Sequence, residues 1–149
     1  MKVFNQKQLA IVLLLAIALP FVFFAFLLVT GTEAAWLDFP PVIAFHSYGV
    51  LCVSFFAGIQ WGVHFCKRTE DSVYLLSALT LTLVWLGVLD TGGIIGLSLL
   101  LVGLLLSFAV EYRLSVQRVT TGWFWQVRCV SMALILVSLC LALYSVAKG

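Results

Sequence analysis

The stretch YGVLCVSFFAGIQWG, residues 48–62, lies in an uncharged run long enough to cross a bilayer. It nevertheless carries three glycines, a serine, a cysteine and a glutamine. A surface facing lipid has no use for glycine, so this helix is expected to touch other helices. At about 100° per residue, Ser54, Gly58 and Gly62 form one row, each four apart. Small residues at that spacing let two membrane helices approach to backbone contact. Gly49 thins the same helix further, and Gly96 and Gly103 give a later span a similar edge. The rows have two readings: packing inside one bundle, or docking against another copy or another membrane protein.

The composition agrees with a membrane setting. Of 149 residues, 64% are hydrophobic and 9% charged, against roughly 45–50% and about 25% in soluble domains. Mean hydropathy is +1.19. The net charge of +2 is too small to imply a nucleic-acid partner, so the bilayer itself is the first partner expected. Four scattered cysteines, Cys52, Cys66, Cys129 and Cys140, show no metal-like spacing.

About 20 apolar residues cross the hydrocarbon core as a helix. Uncharged runs of that kind predict five spans, at about 9–29, 42–66, 72–89, 93–110 and 129–147, in a single transmembrane domain over 1–149. The fold class is therefore all-α, an integral membrane bundle. Pro20 is expected to bend the first span. The few residues around Asp90 force the third and fourth spans into an antiparallel hairpin, and Asp90 or Thr91 can cap the fourth. The segment 111–126, EYRLSVQRVTTGWFWQ, mixes apolar and basic residues and is expected to lie along the interface as a short helix or loop. Trp36, Trp123 and Trp125 flank span ends, where indole rings anchor at the headgroups.

Five spans place Lys2, Lys7, Lys67, Arg68, Arg113, Arg118 and Arg128 on one side. The other side holds Lys148 with Glu33, Asp38 and Asp90. Basic loops stay in the cytoplasm, which predicts a cytoplasmic (or matrix) N-terminus and a C-terminus on the far side. Glu111 ends one span and Arg128 opens the next, so the two are expected to pair, the competing reading having Arg128 on lipid phosphate.

His46, Gln60 and His64 share a helix face and define a candidate polar seam. The histidines are eighteen residues apart, about 27 Å along a helix. They are the only two, so they cannot hold one haem or one metal within a chain. No nucleophile–base set and no phosphate-binding loop stand out. The expectation is a non-enzyme without cofactors.

Tyr48-Gly49, Leu51, Ser54-Phe55, Gly58-Ile59 and Trp61-Gly62, followed by Trp123-Phe124 and Val127-Arg128, resemble the two signatures of small membrane proteins grouped as domain of unknown function 3429. Mitochondrial transmembrane protein sixty-nine is a relative in that grouping. Ala57 departs from the family's paired glycines, and Gln60 stands where many members carry arginine. The resemblance implies a multi-pass protein of the bacterial or mitochondrial inner membrane, with no activity attached. Two roles remain from the residues: a scaffold, assembly or accessory subunit acting through helix contacts, or a small carrier or lipid/quinone binder using the Gln60/His64 face.

Overall fold

The computed structural model describes residues 5–32, 38–67 and 71–148. These residues form an all-helical bundle: α1 (Gln6–Ala16), α2 (Leu19–Thr30), α3 (Pro41–Lys67), α4 (Asp71–Gly87), a 3-10 turn (Val88–Asp90), α5 (Ile94–Val116) and α6 (Gly122–Lys148). Five helical segments are long and apolar enough to cross a membrane, the first of them being α1 and α2 together.

Local chemistry sets the breaks. Pro20 has no N–H to return to the preceding turn, and the first span is interrupted at Ile17-Ala18 between α1 and α2. In a bilayer the backbone groups freed by such a break must find partners from neighbouring helices. Here the Tyr48 hydroxyl, from α3, donates to the Ile17 carbonyl at 3.1 Å. Gly31 ends α2 with φ of 63°, a left-handed conformation open to glycine at no steric cost. Pro41 opens α3 at the position where a missing N–H is harmless. Asp90 reaches forward to cap α5, its Oδ2 accepting from the Gly96 N–H at 3.0 Å.

The helices pack around two central elements, α3 and α5. The hairpin partner α4 covers one side of both, while α2 packs between α3 and α6, and α6 completes the layer against α5 and α1. Lipid tails are as apolar as leucine, so helices in a bilayer associate through close packing and hydrogen bonds rather than through water release. The glycines of the hairpin show the first. A Cβ on Gly96 would strike the Asp90 carbonyl oxygen, and one on Gly103 would strike the Val84 side chain. Gly49 of α3 likewise makes room for Leu100 of α5. Cross-helix hydroxyls show the second: Ser131 donates to the Leu14 carbonyl at 3.2 Å and Ser145 to the Leu28 carbonyl at 2.9 Å. Most other hydroxyls, such as those of Ser54, Thr80 and Ser138, return to their own helix, as expected of such residues in apolar surroundings.

One element differs from the sequence reading. The segment 111–126 is not an interfacial helix; α5 runs on to Val116 and α6 starts at Gly122, with a short turn between them. The physical reason is that an uncharged run ends at its first charge, whereas a helix continues as long as its backbone bonds can form and the charge has a partner. Trp36 lies outside the described residues.

Candidate functional site

The bundle interior holds two polar clusters. The first joins α3, α4 and α5. Gln60, buried on α3, donates from Nε2 to the Ser107 carbonyl at 3.1 Å and to Ser107 Oγ at 3.0 Å. Its Oε1 accepts from the Ser77 hydroxyl at 2.6 Å. The Val73 carbonyl stands 3.0 Å from the same hydroxyl as a second acceptor. A side-chain amide with both ends occupied is no longer open to a ligand. It fixes three helices at one depth.

The second cluster joins α5, α6 and α3. Arg128 is 1% exposed and Glu111 8%. Arg128 Nε donates to Glu111 Oε2 at 2.6 Å and Nη2 to Oε1 at 3.1 Å, the two parallel bonds that fit a guanidinium to a carboxylate. The guanidinium carbon lies 3.6 Å from the centroid of the Phe56 ring, within cation–π range. Arg128 is six residues inside α6, about 9 Å from its first residue, and the pair is buried among helices. Two charges can be held there because each neutralises the other and the aromatic face covers a third side.

The structure divides the His46–Gln60–His64 face. His46 and Gln60 are fully buried, together with Ala57, while His64 is only partly covered. His64 packs its ring on Tyr74 with centroids 5.5 Å apart. His46 lies against the α4–α5 hairpin, its Nε2 3.5 Å from where a Cβ on Gly87 would stand. Neither ring nitrogen of His46 meets hydrogen-bond geometry with a partner among the described residues, although the Gly96 backbone lies close to the ring.

The small-residue row also splits. Gly49, Gly96 and Gly103 are buried at helix contacts inside the chain. Gly58 and Gly62 are exposed, and a Cβ added to either would meet nothing within 4 Å. Packing within the bundle is therefore not what these two glycines serve. A row four residues apart turns about 40° per step, so Ser54 borders α4 while Gly58 and Gly62 have already rotated outward. Ser54 and Val50 line an outward-facing groove of about 350 Å³ with Leu81, Thr82 and Trp85 of α4.

Of the tryptophan anchors, Trp125 stacks on Phe108, centroids 5.0 Å apart and planes 17° from parallel. Trp123 receives the Lys7 ammonium at 5.6 Å. Both hold the beginning of α6 against its neighbours. Sequence reasoning missed Phe56 as the platform for Arg128, and Ser77 and Ser107 as partners of Gln60. Spacing offered one available signal: Ser107 precedes Glu111 by four residues, so both lie on the inward face of α5.

Chemically, the clusters clamp helices together. All four cysteines are free. Among the described residues no three of His, Cys, Asp or Glu gather as a metal site.

Residues 6–144 match the family described as "Protein of unknown function (DUF3429)". No curated protein and no solved structure matches the chain.

Proposed function

Since the chain belongs to the DUF3429 family, described only as of unknown function, and itself forms a multi-pass helical bundle, we propose that it serves as a scaffold or accessory subunit of an inner-membrane assembly. It would work by accepting a transmembrane helix, from a second copy or another protein, along Ser54, Gly58 and Gly62. One observation supports this above the rest. The buried glycines of the chain are filled from within, whereas Gly58 and Gly62 present bare backbone outward. Leu51 and Phe55 stand exposed beside them, giving the hollow flanking ridges into which a partner's side chains can interlock. The N-terminus faces the cytoplasm in this reading, because the basic residues cluster at that end. Reporter fusions after Lys67 and Gly149 should report opposite compartments.

The decisive experiment compares wild type with Gly58→Leu after extraction in mild detergent. Leucine at this open position leaves the chain's own packing intact, so the melting temperature of the isolated chain should hold. The native mass should fall from that of a complex to that of one chain. A wild type that extracts as a single chain, or a variant of unchanged mass, would remove the basis for the proposal.

A further inference from the structure

We propose that the outer cleft between α2 and α6 seats one membrane phospholipid with a net negative headgroup, its acyl chain along the groove and its phosphate at Lys148 and Tyr144. The lower part of the cleft is an apolar groove of about 310 Å³ that includes Val22, Ala25, Val29, Val137, Ser138 and Leu141. Its one hydroxyl, on Ser138, is turned away to the Leu134 carbonyl at 2.9 Å, so the groove offers hydrocarbon only. Val29 also borders a second cleft of about 440 Å³, lined by Tyr144, Ser145 and Lys148. The two therefore form one path that changes from apolar to polar along its length.

That length suits a lipid. From Leu134 to Lys148 are fourteen residues, about 21 Å of helix. Half a bilayer with its headgroups is about 20–22 Å. The Ser145 hydroxyl, donating to the Leu28 carbonyl at 2.9 Å, ties α2 to α6 beneath the upper cleft, giving it a fixed base. The walls are large, exposed side chains: Phe26 is 62% exposed and Tyr144 65%. They hold another helix's backbone away, unlike the glycines of α3, yet leave a slot for a flexible chain.

Charge selects the headgroup. Lys148 is the only Lys or Arg among the described residues at this end of the bundle, and it forms no ion pair there. The polar group beside it in the cleft is the Tyr144 phenol, about one turn earlier on α6, and not a carboxylate, so within the cleft a zwitterionic headgroup would bring its ammonium towards Lys148 without compensation. An anionic headgroup brings none. One basic residue near the surface favours anionic lipid by about fivefold.

The test is native mass spectrometry of the purified protein in detergent, equilibrated with equal amounts of phosphatidylglycerol and phosphatidylethanolamine. Wild type should retain one lipid, with phosphatidylglycerol preferred about fivefold. Lys148→Glu should keep the lipid and lose the preference. Val137→Trp fills the groove from an exposed position and should lower retention of both lipids at least fivefold, with helix content by circular dichroism unchanged. An equal preference in wild type and Lys148→Glu would overturn the headgroup assignment. Undiminished retention in Val137→Trp would overturn the groove. Neither result depends on whether Gly58 and Gly62 meet a partner helix.

Discussion

Exchanging the charges of Glu111 and Arg128 tests how the α5–α6 contact is held. Glu111→Arg places two guanidinium groups in a site that is 1–8% exposed, and Arg128→Glu places two carboxylates there. Each leaves buried charge without its partner, which costs about 3–5 kcal/mol. The double exchange restores opposite charges at nearly the same separation. It does not restore the guanidinium over Phe56, 3.6 Å from the ring centroid, a contact worth about 2 kcal/mol when desolvated. The double variant should therefore lose about 2 kcal/mol, where independent sites would lose about 6–10 kcal/mol, the sum of two single losses. Reversible unfolding in mixed micelles, titrated with SDS and followed by far-ultraviolet circular dichroism, gives the three free energies. A double variant as unstable as the sum of the single ones would refute the pairing, and Arg128 would then be stabilised by something other than Glu111.

Four further substitutions test the interior and the outer face of α3. Gln60→Leu removes bonds to Ser107 and Ser77 but leaves the Ser77 hydroxyl its Val73 acceptor, so the loss in the same titration should be about 1–2 kcal/mol; a loss above 4 kcal/mol would mean that the amide does more than join three helices. Gly103→Leu drives bulk against Val84 and should cost about 1–3 kcal/mol. Gly62→Leu, at an open position inside α3, should match wild type or exceed it by up to about 1 kcal/mol, because leucine removes the helix penalty of glycine and meets nothing, and equal losses at the two sites would contradict the division of the glycines. His46→Leu replaces a fully buried ring with no protein partner in hydrogen-bond geometry for either nitrogen. Because a buried unsatisfied group costs about 1–3 kcal/mol, the variant should melt at or above the wild-type temperature, and a clear drop would show that the imidazole is bonded in the native protein.

How far the sequence reaches depends on which physical signal each feature leaves. Span number was legible because the hydrocarbon core demands an unbroken apolar run, and the Asp90 cap was legible because a carboxylate beside a helix start has few other uses. Span ends were less so. The apolar run stops at Glu111, but α5 continues to Val116 because Arg128 answers the charge from the next helix, and nothing local to Glu111 announces that. Facing was the least legible. In water an amphipathic stripe marks the inward side of a helix, whereas here both sides are apolar: Leu100 is fully buried while Ile95, one and a half turns before it, is 67% exposed. The same blindness affects the glycines. Gly49 and Gly58 lie on one helix with similar neighbours, and only the position of Leu100 over the first shows which one the chain itself fills.

That asymmetry bears on what selection of residues the fold alone requires. A bundle in lipid needs close backbone contacts and satisfied polar groups, and this chain makes the contacts and pairs most of its buried polar groups without α3's outer face, with the His46 ring, Thr120 Oγ1 and Arg128 Nη1 left over among the described residues. The α4–α5 hairpin closes through Gly96 and Gly103. Gln60 joins that hairpin to α3, and Arg128 joins α5 to α6. Tyr48, Ser131 and Ser145 tie the bent first span to α3 and α6. Every helix is thereby held by at least one contact that leucine could not supply. Glycine in a helix interior, by contrast, is less favourable than alanine by about 0.8–1.0 kcal/mol. At Gly96 or Gly103 the closeness of the neighbouring helix offsets that penalty. At Gly58 and Gly62 nothing within 4 Å in the chain does. A second helix against this row, as proposed above, would supply such an offset through close contact of the kind that Gly96 makes with the Asp90 and Gly87 carbonyls.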